Sequence, residues 1–470
     1  MKKRFIPGVL VAAMTAALLA LGAPANAASN EPAVTLTSPT ANDADFNAIA
    51  TWNPKKQEAC LYSASQLKPP TESKEPWVAP GDCKLWRPAA GTQSGIYVAT
   101  WDSGKSRALL VNSAEPTTSK GKRILVLVPD YTWQAYDLVK NGNFYFDEVG
   151  KKSANFSDRK LNLFRPMNFN TVGDPVNYPA APQLYPFSNP IHFLRSHLEN
   201  VDVVSESNFD EAEYDLGNYR TVVLYGHDEY WTANLKSGLE KAVADGTSLL
   251  NLSGNTGYRK LVRTGEVIGF DPTTPEHPRT SRWGDSPNDT TSLKLLGATY
   301  LGEPFGKRQL KPVKVSPRML RDLWRDGLPA SVTRRNIHRV LRGMLVRDAS
   351  NQLFAGTGLK SGDFFGADSK ILSIELDGIP EAPNGSIDPE FLAKFGSTPI
   401  AALAESWVNA RVGASGRAWR AGQLIETTFG KGKVFTAGPI GWTGGLVSGD
   451  QTVQRITLNA LKYLGEETLD

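Results

Sequence analysis

The sequence predicts an α/β fold: a mostly parallel β-sheet with helices on both faces, preceded by a β-rich segment. Three observations predict it. Ile124-Leu125-Val126-Leu127-Val128 and Thr221-Val222-Val223-Leu224-Tyr225 are continuous apolar runs, the pattern of strands covered on both faces. A strand–loop–helix–strand rhythm then leads to Ser248-Leu249-Leu250-Asn251-Leu252, which implies right-handed parallel crossovers. The chain closes on an amphipathic helix, Thr452–Leu464, with Val453, Ile456, Ala460, Leu461 and Leu464 on one face.

The elements follow in order. Lys2, Lys3 and Arg4 precede an apolar run, Val9–Leu21, and then Ala25-Asn26-Ala27. That order reads as a secretory signal peptide over residues 1–27, cut after Ala27. The run is shorter than the roughly 20 residues that span a bilayer, and no later segment has that length and apolarity. The chain is therefore expected to be secreted, extracellular or periplasmic, with no transmembrane span once cut. Residues 1–27 hold three basic and no acidic residues, so cleavage lowers the net charge from +4 to +1. With no basic tract and no Cys/His finger, nucleic acid is not an expected partner.

Residues 28–50, rich in Ser, Thr, Ala, Asn and Asp, read as a flexible leader. Residues 51–118 read as the β-rich segment, with strand-like Gly95–Trp101 and Arg107–Val111 between Pro and Gly breaks. The chain holds two cysteines, Cys60 and Cys83, and export implies a disulfide between them. Residues 119–466 read as the α/β domain. Pro190–Leu198 reads as a helix, Val201–Val204 as a strand, and 232–244 as a helix capped by Thr232 and ended by Gly246. Around 260–400 the pattern breaks into an irregular inserted subdomain, with helices expected at Pro317–Arg325 and Thr333–Val346. A strand is expected over Ser369–Gly378. A strand at Ala401–Val408 and a hairpin of Leu424–Phe429 with Gly432–Thr436 follow.

Ligands of an open α/β sheet bind at the carboxyl ends of its strands. Clusters at such ends are Asp130–Asp137, Gly226–Trp231, Ser253–Arg259 and Gly438–Trp442. His227 and Glu229, two apart in an extended segment, point to one side. That pair suits a shared metal ion or acid/base work. A histidine satisfied in the scaffold and an acid capping the next helix fit the same residues. The chain carries no Walker A, no G-x-G-x-x-G before a helix, no G-x-S-x-G elbow and no H-E-x-x-H.

Several stretches together resemble one family. Tyr219-Arg220-Thr221-Val222-Val223-Leu224-Tyr225-Gly226-His227-Asp228-Glu229-Tyr230-Trp231-Thr232 resembles the most recognisable motif of the large subunit of N,N-dimethylformamidase. Thr132-Trp133-Gln134-Ala135-Tyr136, Leu249–Arg259, Glu375-Leu376-Asp377-Gly378 and Gly432–Trp442 match in the same order. The resemblance implies a class I glutamine-amidotransferase-like, flavodoxin-like domain. It also implies a mononuclear Fe³⁺ hydrolase that splits a small amide, the iron held by two tyrosines and one glutamate.

Carried onto this chain, Glu229 is the metal-binding glutamate and Tyr136 one tyrosine, with Tyr145 or Tyr131 as the second. A ligand position at Trp133 would instead leave the chain without the metal. His227 and Glu375 become the catalytic pair that relays a proton to the leaving nitrogen. The expected function is an exported hydrolase of a non-peptide C–N bond acting on a small-molecule amide or glycan-related ligand. A non-catalytic carbohydrate or cell-envelope binding protein and a two-carboxylate glycosidase on Glu229 and Glu375 are the alternatives. The sequence leaves open a homo-oligomer and a small partner subunit.

Overall fold

Alternate residues of Ile124–Val128 face opposite cores, and this decides the layering of the protein. Ile124, Val126 and Val128 pack into one apolar cluster, Leu125 and Leu127 into another. A computed structural model describes residues 33–40, 43, 46–67, 82–121, 123–137, 143–144, 160–163, 165–167, 190–270, 283, 291–302, 317, 320–321, 324, 330, 332–335, 337, 343–369, 371–372, 375–380, 387, 400–412 and 416–467. The expected signal peptide and Tyr145 lie outside these residues.

The main sheet has nine strands: β1 (Arg123–Val128), β2 (Val201–Ser205), β3 (Tyr219–His227), β4 (Ser248–Gly254), β5 (Met344–Val346), β6 (Phe364–Phe365), β7 (Ala401–Val412), β8 (Gly416–Phe429) and β9 (Gly432–Thr436). Their order across the sheet is β6-β5-β7-β8-β9-β4-β3-β1-β2. From β9 to β2 every pairing is parallel, with Val222 opposite both Leu125 and Leu249. From β9 to β6 every pairing is antiparallel. The expected hairpin around Gly430 is the β8–β9 pair.

Helices cover both faces. Among the described residues they include α1 (Asp130–Tyr136), α2 (Ile191–His197), α3 (Glu206–Glu211), α4 (Ala233–Asp245), α5 (Thr291–Leu296), α6 (Trp442–Val447) and α7 (Gln451–Leu464). Ile191 and Leu194 of α2 and Val453, Ile456, Ala460 and Leu461 of α7 join one core. Phe209 of α3, Leu235 and Leu239 of α4 and Leu295 of α5 join the other. Thr232 caps α4 by accepting from Leu235 N, and Gly246 ends it, as the residue types predict. A mixed α/β architecture is thus present.

Three expectations differ from the structure. Part of the leader is ordered: Thr35–Thr37 pairs with Gly95–Trp101, and Phe46 and Ala48 are buried. Apolar residues scattered among polar ones were enough to dock it. The helix expected over Thr333–Val346 does not run to its end, because Met344–Val346 is strand β5. Its backbone is claimed by β6 and β7, a tertiary pairing that overrides local periodicity. The strand expected over Ser369–Gly378 is confined, among described residues, to Leu376–Gly378.

The N-terminal part forms two small antiparallel sheets around Trp52, Trp86 and Trp101. Cys60 and Cys83 form a disulfide, with Cα atoms 5.4 Å apart. Asn208 of α3 ties this part to the main sheet by donating to Trp52 O at 3.0 Å and accepting from Ser113 Oγ at 2.8 Å. Among the described residues, no helix is long and apolar enough to cross a membrane.

Candidate active site

The carboxyl end of β3 carries the chemistry. Gly226 has φ +67°, a left-handed conformation that glycine adopts without steric cost, and it turns the strand just before His227. His227 still pairs in register with Gly254 at the end of β4. Beyond it, Thr132 of α1 receives the next turn, its Oγ1 accepting from Glu229 N at 3.0 Å and Tyr230 N at 3.2 Å. On the far side, Arg259 N donates to Glu229 O and Gly257 N to Asp228 O, both at 2.8 Å. Glu229 is thus clamped through its backbone between α1 and the strand Arg259–Thr264.

Glu375 arrives from the segment that crosses the strand ends. Its carbonyl accepts from Ile440 N at 3.3 Å, and Asp377 N donates to Gly438 O at 2.9 Å. Asp377 in turn accepts from Asn255 N at 2.8 Å and Thr256 N at 3.0 Å, which pins the β4 exit loop. Gly254 permits the crossing: a Cβ there would lie 2.6 Å from Ile440 N and 3.0 Å from Glu375 O.

These supports bring together Tyr136, His227, Glu229 and Glu375 of the side chains expected from the sequence. Tyr136 Oη donates to Glu229 Oε2 at 2.5 Å. His227 Nε2 lies 3.3 Å from Glu229 Oε2 and 2.7 Å from Glu375 Oε2. The imidazole and Tyr136 rings have centroids 4.9 Å apart. His227 and Glu229 are almost wholly buried. Although His227 Nε2 and Glu375 Oε2 are close, they are not aligned as a hydrogen bond. One ligand atom each from His227, Glu229 and Glu375 lies within 4.8 Å of the others, so the cluster can hold a metal ion.

Tyr131, the other candidate tyrosine, is elsewhere. Its Oη donates to Asp210 at 2.7 Å and accepts from Arg263 at 3.3 Å. Trp133 is buried in the apolar core. Sequence reasoning gave no role to Arg259, whose Nε lies 3.3 Å from Glu229 Oε1. It opens the strand Arg259–Thr264, and it reaches Glu229 through the pairing of that strand with Tyr230–Thr232.

Charge decides the protonation states. Burial disfavours the His227 cation, but Glu375 and Glu229 outweigh it and push its pKa up to about 10. Burial alone would raise Glu229, yet the hydrogen bond and charge of His227, then Arg259 and Tyr136, hold it below the usual carboxylate range. Asp228 points away from this pair, accepts from Trp231 Nε1 at 2.7 Å, and is pushed up to about 6 by burial. Burial likewise pushes Asp377 up to about 7, against the N–H bonds from Thr256 and Asn255.

Cavities of about 740, 370 and 670 Å³ elsewhere on the chain are lined by other residues. The fold has remote likenesses among solved structures. A β-galactosidase from Bacillus circulans sp. alkalophilus is 12% identical with TM-score 0.33, covering 74% of this chain and 32% of that one. Gan42B, a GH42 β-galactosidase, is 10% identical with TM-score 0.33, covering 76% and 31%. The chain thus spans about a third of the length of either structure. No curated protein matches it. Residues 51–454, which include every residue of the cluster, match the model of one family, and the chain belongs to it: N,N-dimethylformamidase beta subunit-like, C-terminal.

Proposed function

We propose that this protein is an exported hydrolase of a non-peptide C–N bond in a small amide, with iron as its cofactor. The observation that carries the reading is the convergence of Tyr136, His227, Glu229 and Glu375 at one strand end, in a chain of an amidase-like family. The finer fold reading, a class I glutamine-amidotransferase-like sheet, rests on the resemblance and on the parallel half of the sheet. Export rests on the character of residues 1–27.

The donor set suits a hard ion. Phenolate and carboxylate oxygens favour Fe³⁺, and donors about 3 Å apart fit ligand bonds of roughly 2 Å. Tyr136 and Glu229 would hold the ion, with His227 and Glu375 beside it and Tyr145 retained as the second tyrosine. A ferric ion there supplies Lewis acidity to an amide carbonyl and to a water.

The chain's own groups perform the remaining steps. Glu229 stays ionised under Arg259 and His227. Glu375 takes a proton from the attacking water as its oxygen bonds to the carbonyl carbon. His227 gives the proton on Nε2 to the nitrogen as the C–N bond breaks, leaving a carboxylic acid and an amine. A two-carboxylate glycosidase is disfavoured by the geometry. His227 Nε2 stands 3.3 Å from Glu229 and 2.7 Å from Glu375, so an imidazole fills the place a sugar would need between the two carboxylates.

The test is amine release from N-substituted small amides by iron-loaded protein. Turnover that disappears in His227→Gln and Glu375→Gln supports the reading. Glycan binding with no turnover on any amide would replace it with a binding role.

A further inference from the structure

The two oxygens of Glu229 are engaged from opposite sides. Oε2 meets Tyr136 and His227, and Oε1 meets Arg259 Nε at 3.3 Å. This arrangement is anchored in the backbone. Tyr230 pairs with Arg259 in a parallel ladder, and Arg259 N donates to Glu229 O at 2.8 Å. The guanidinium also lies 5.0 Å from the Tyr258 ring centroid, and the side chain is 13% exposed. Arg259 is therefore held beside Glu229 by main chain, ring and charge together.

We infer that Arg259 is a positioning residue that reserves Oε1 of Glu229, so that the carboxylate offers a bound metal Oε2 alone. The inference rests on the reading of the cluster as a metal centre. A free carboxylate binds a hard cation through one oxygen or both. The guanidinium N–H takes one lone pair of Oε1 and sets a positive charge beside it, which disfavours a second cation on that oxygen and leaves the side of Tyr136 and His227 for the metal. Binding through one oxygen keeps a coordination position open for water or a carbonyl, which catalytic sites need and structural sites lack. Arginine suits the task because it stays charged at any working pH and stacks on an aromatic face.

The experiment loads the full protein with Fe³⁺ alone and records the Glu229 carboxylate stretches by difference infrared, with Glu229→Gln to assign the bands. Wild type is expected to show the wide antisymmetric–symmetric separation of one-oxygen binding. Arg259→Gln is expected to narrow it and to weaken iron binding about 10- to 100-fold, the usual effect of removing a partner of a ligand. Arg259→Lys, which keeps the charge, is expected to restore the wide separation. An unchanged separation in Arg259→Gln overturns the inference. So does a narrow one in wild type, which decides the matter even if the variant fails to fold. Wild type that takes up no iron overturns the metal reading as well, whereas iron-bound wild type with an indifferent Arg259→Gln overturns this inference alone.

Discussion

His227 Nε2 stands 2.7 Å from Glu375 Oε2, joining the end of a parallel strand to the segment that crosses above it. Both groups are buried or nearly so, and neither atom has an aligned hydrogen-bond partner. The charges of Glu375 and Glu229 push the His227 pKa up to about 10 against burial.

Stability of the metal-free protein should fall as pH rises. The folded pKa of His227, about 10, lies above the ordinary histidine value of 6.5. Its contribution is fully present below pH 6.5 and is lost as pH rises through about 10. Urea unfolding between pH 6.5 and 10.5 should show a decline on the order of a few kcal/mol, and His227→Gln should flatten it. A stability that is level over that window in wild type would contradict the assignment.

Glu229→Ala removes the carboxylate that both His227 and Arg259 face. Breaking a buried ion pair from one side costs about 3–5 kcal/mol, so the metal-free variant should unfold at clearly lower urea. Glu229→Gln, which keeps shape and hydrogen bonding, should lose less.

Gly254→Ala places a methyl 2.6 Å from Ile440 N and 2.7 Å from Gly438 O. Both are backbone atoms of the loop that the Glu375–Gly378 segment is bonded to, so the strain cannot be relieved by a side-chain rotation. A loss of at least about 1–3 kcal/mol is expected, with metal uptake weakened as Glu375 shifts. Differential scanning calorimetry and iron titration would check both.

The disulfide should matter for stability alone. Cys60 and Cys83 are 23 residues apart and staple the N-terminal sheet. Replacing both by Ser should cost about 3 kcal/mol by loop entropy while leaving iron content unchanged.

How much of this was legible depends on how local each determinant is. The parallel strands could be read because burial on both faces forces uninterrupted apolar runs, as at Ile124–Val128 and Val222–Tyr225. His227 and Glu229 were legible as a pair because extended backbone puts alternate residues on one side. Met344–Val346 was not, since three apolar residues are a strand only because β6 and β7 pair with them. The two tyrosines of α1 could have been separated. Residues five apart on a helix lie roughly 140° apart, so Tyr131 and Tyr136 cannot serve one centre. Glu375 was found by resemblance alone, because its position depends on pairings of Leu376–Gly378 with Thr299–Gly302 and of Leu376 with Pro439. Arg259 was legible only as the last residue of the strand-exit cluster Ser253–Arg259, because its place beside Glu229 comes from the ladder it forms with Tyr230.

The most direct test of the central claim is the iron content and visible spectrum of the purified protein beside Tyr136→Phe. The account predicts stoichiometric iron with a phenolate-to-iron charge-transfer band that Tyr136→Phe weakens or abolishes. A folded protein that takes up no iron, or an iron-loaded one with the same spectrum in Tyr136→Phe, would contradict it.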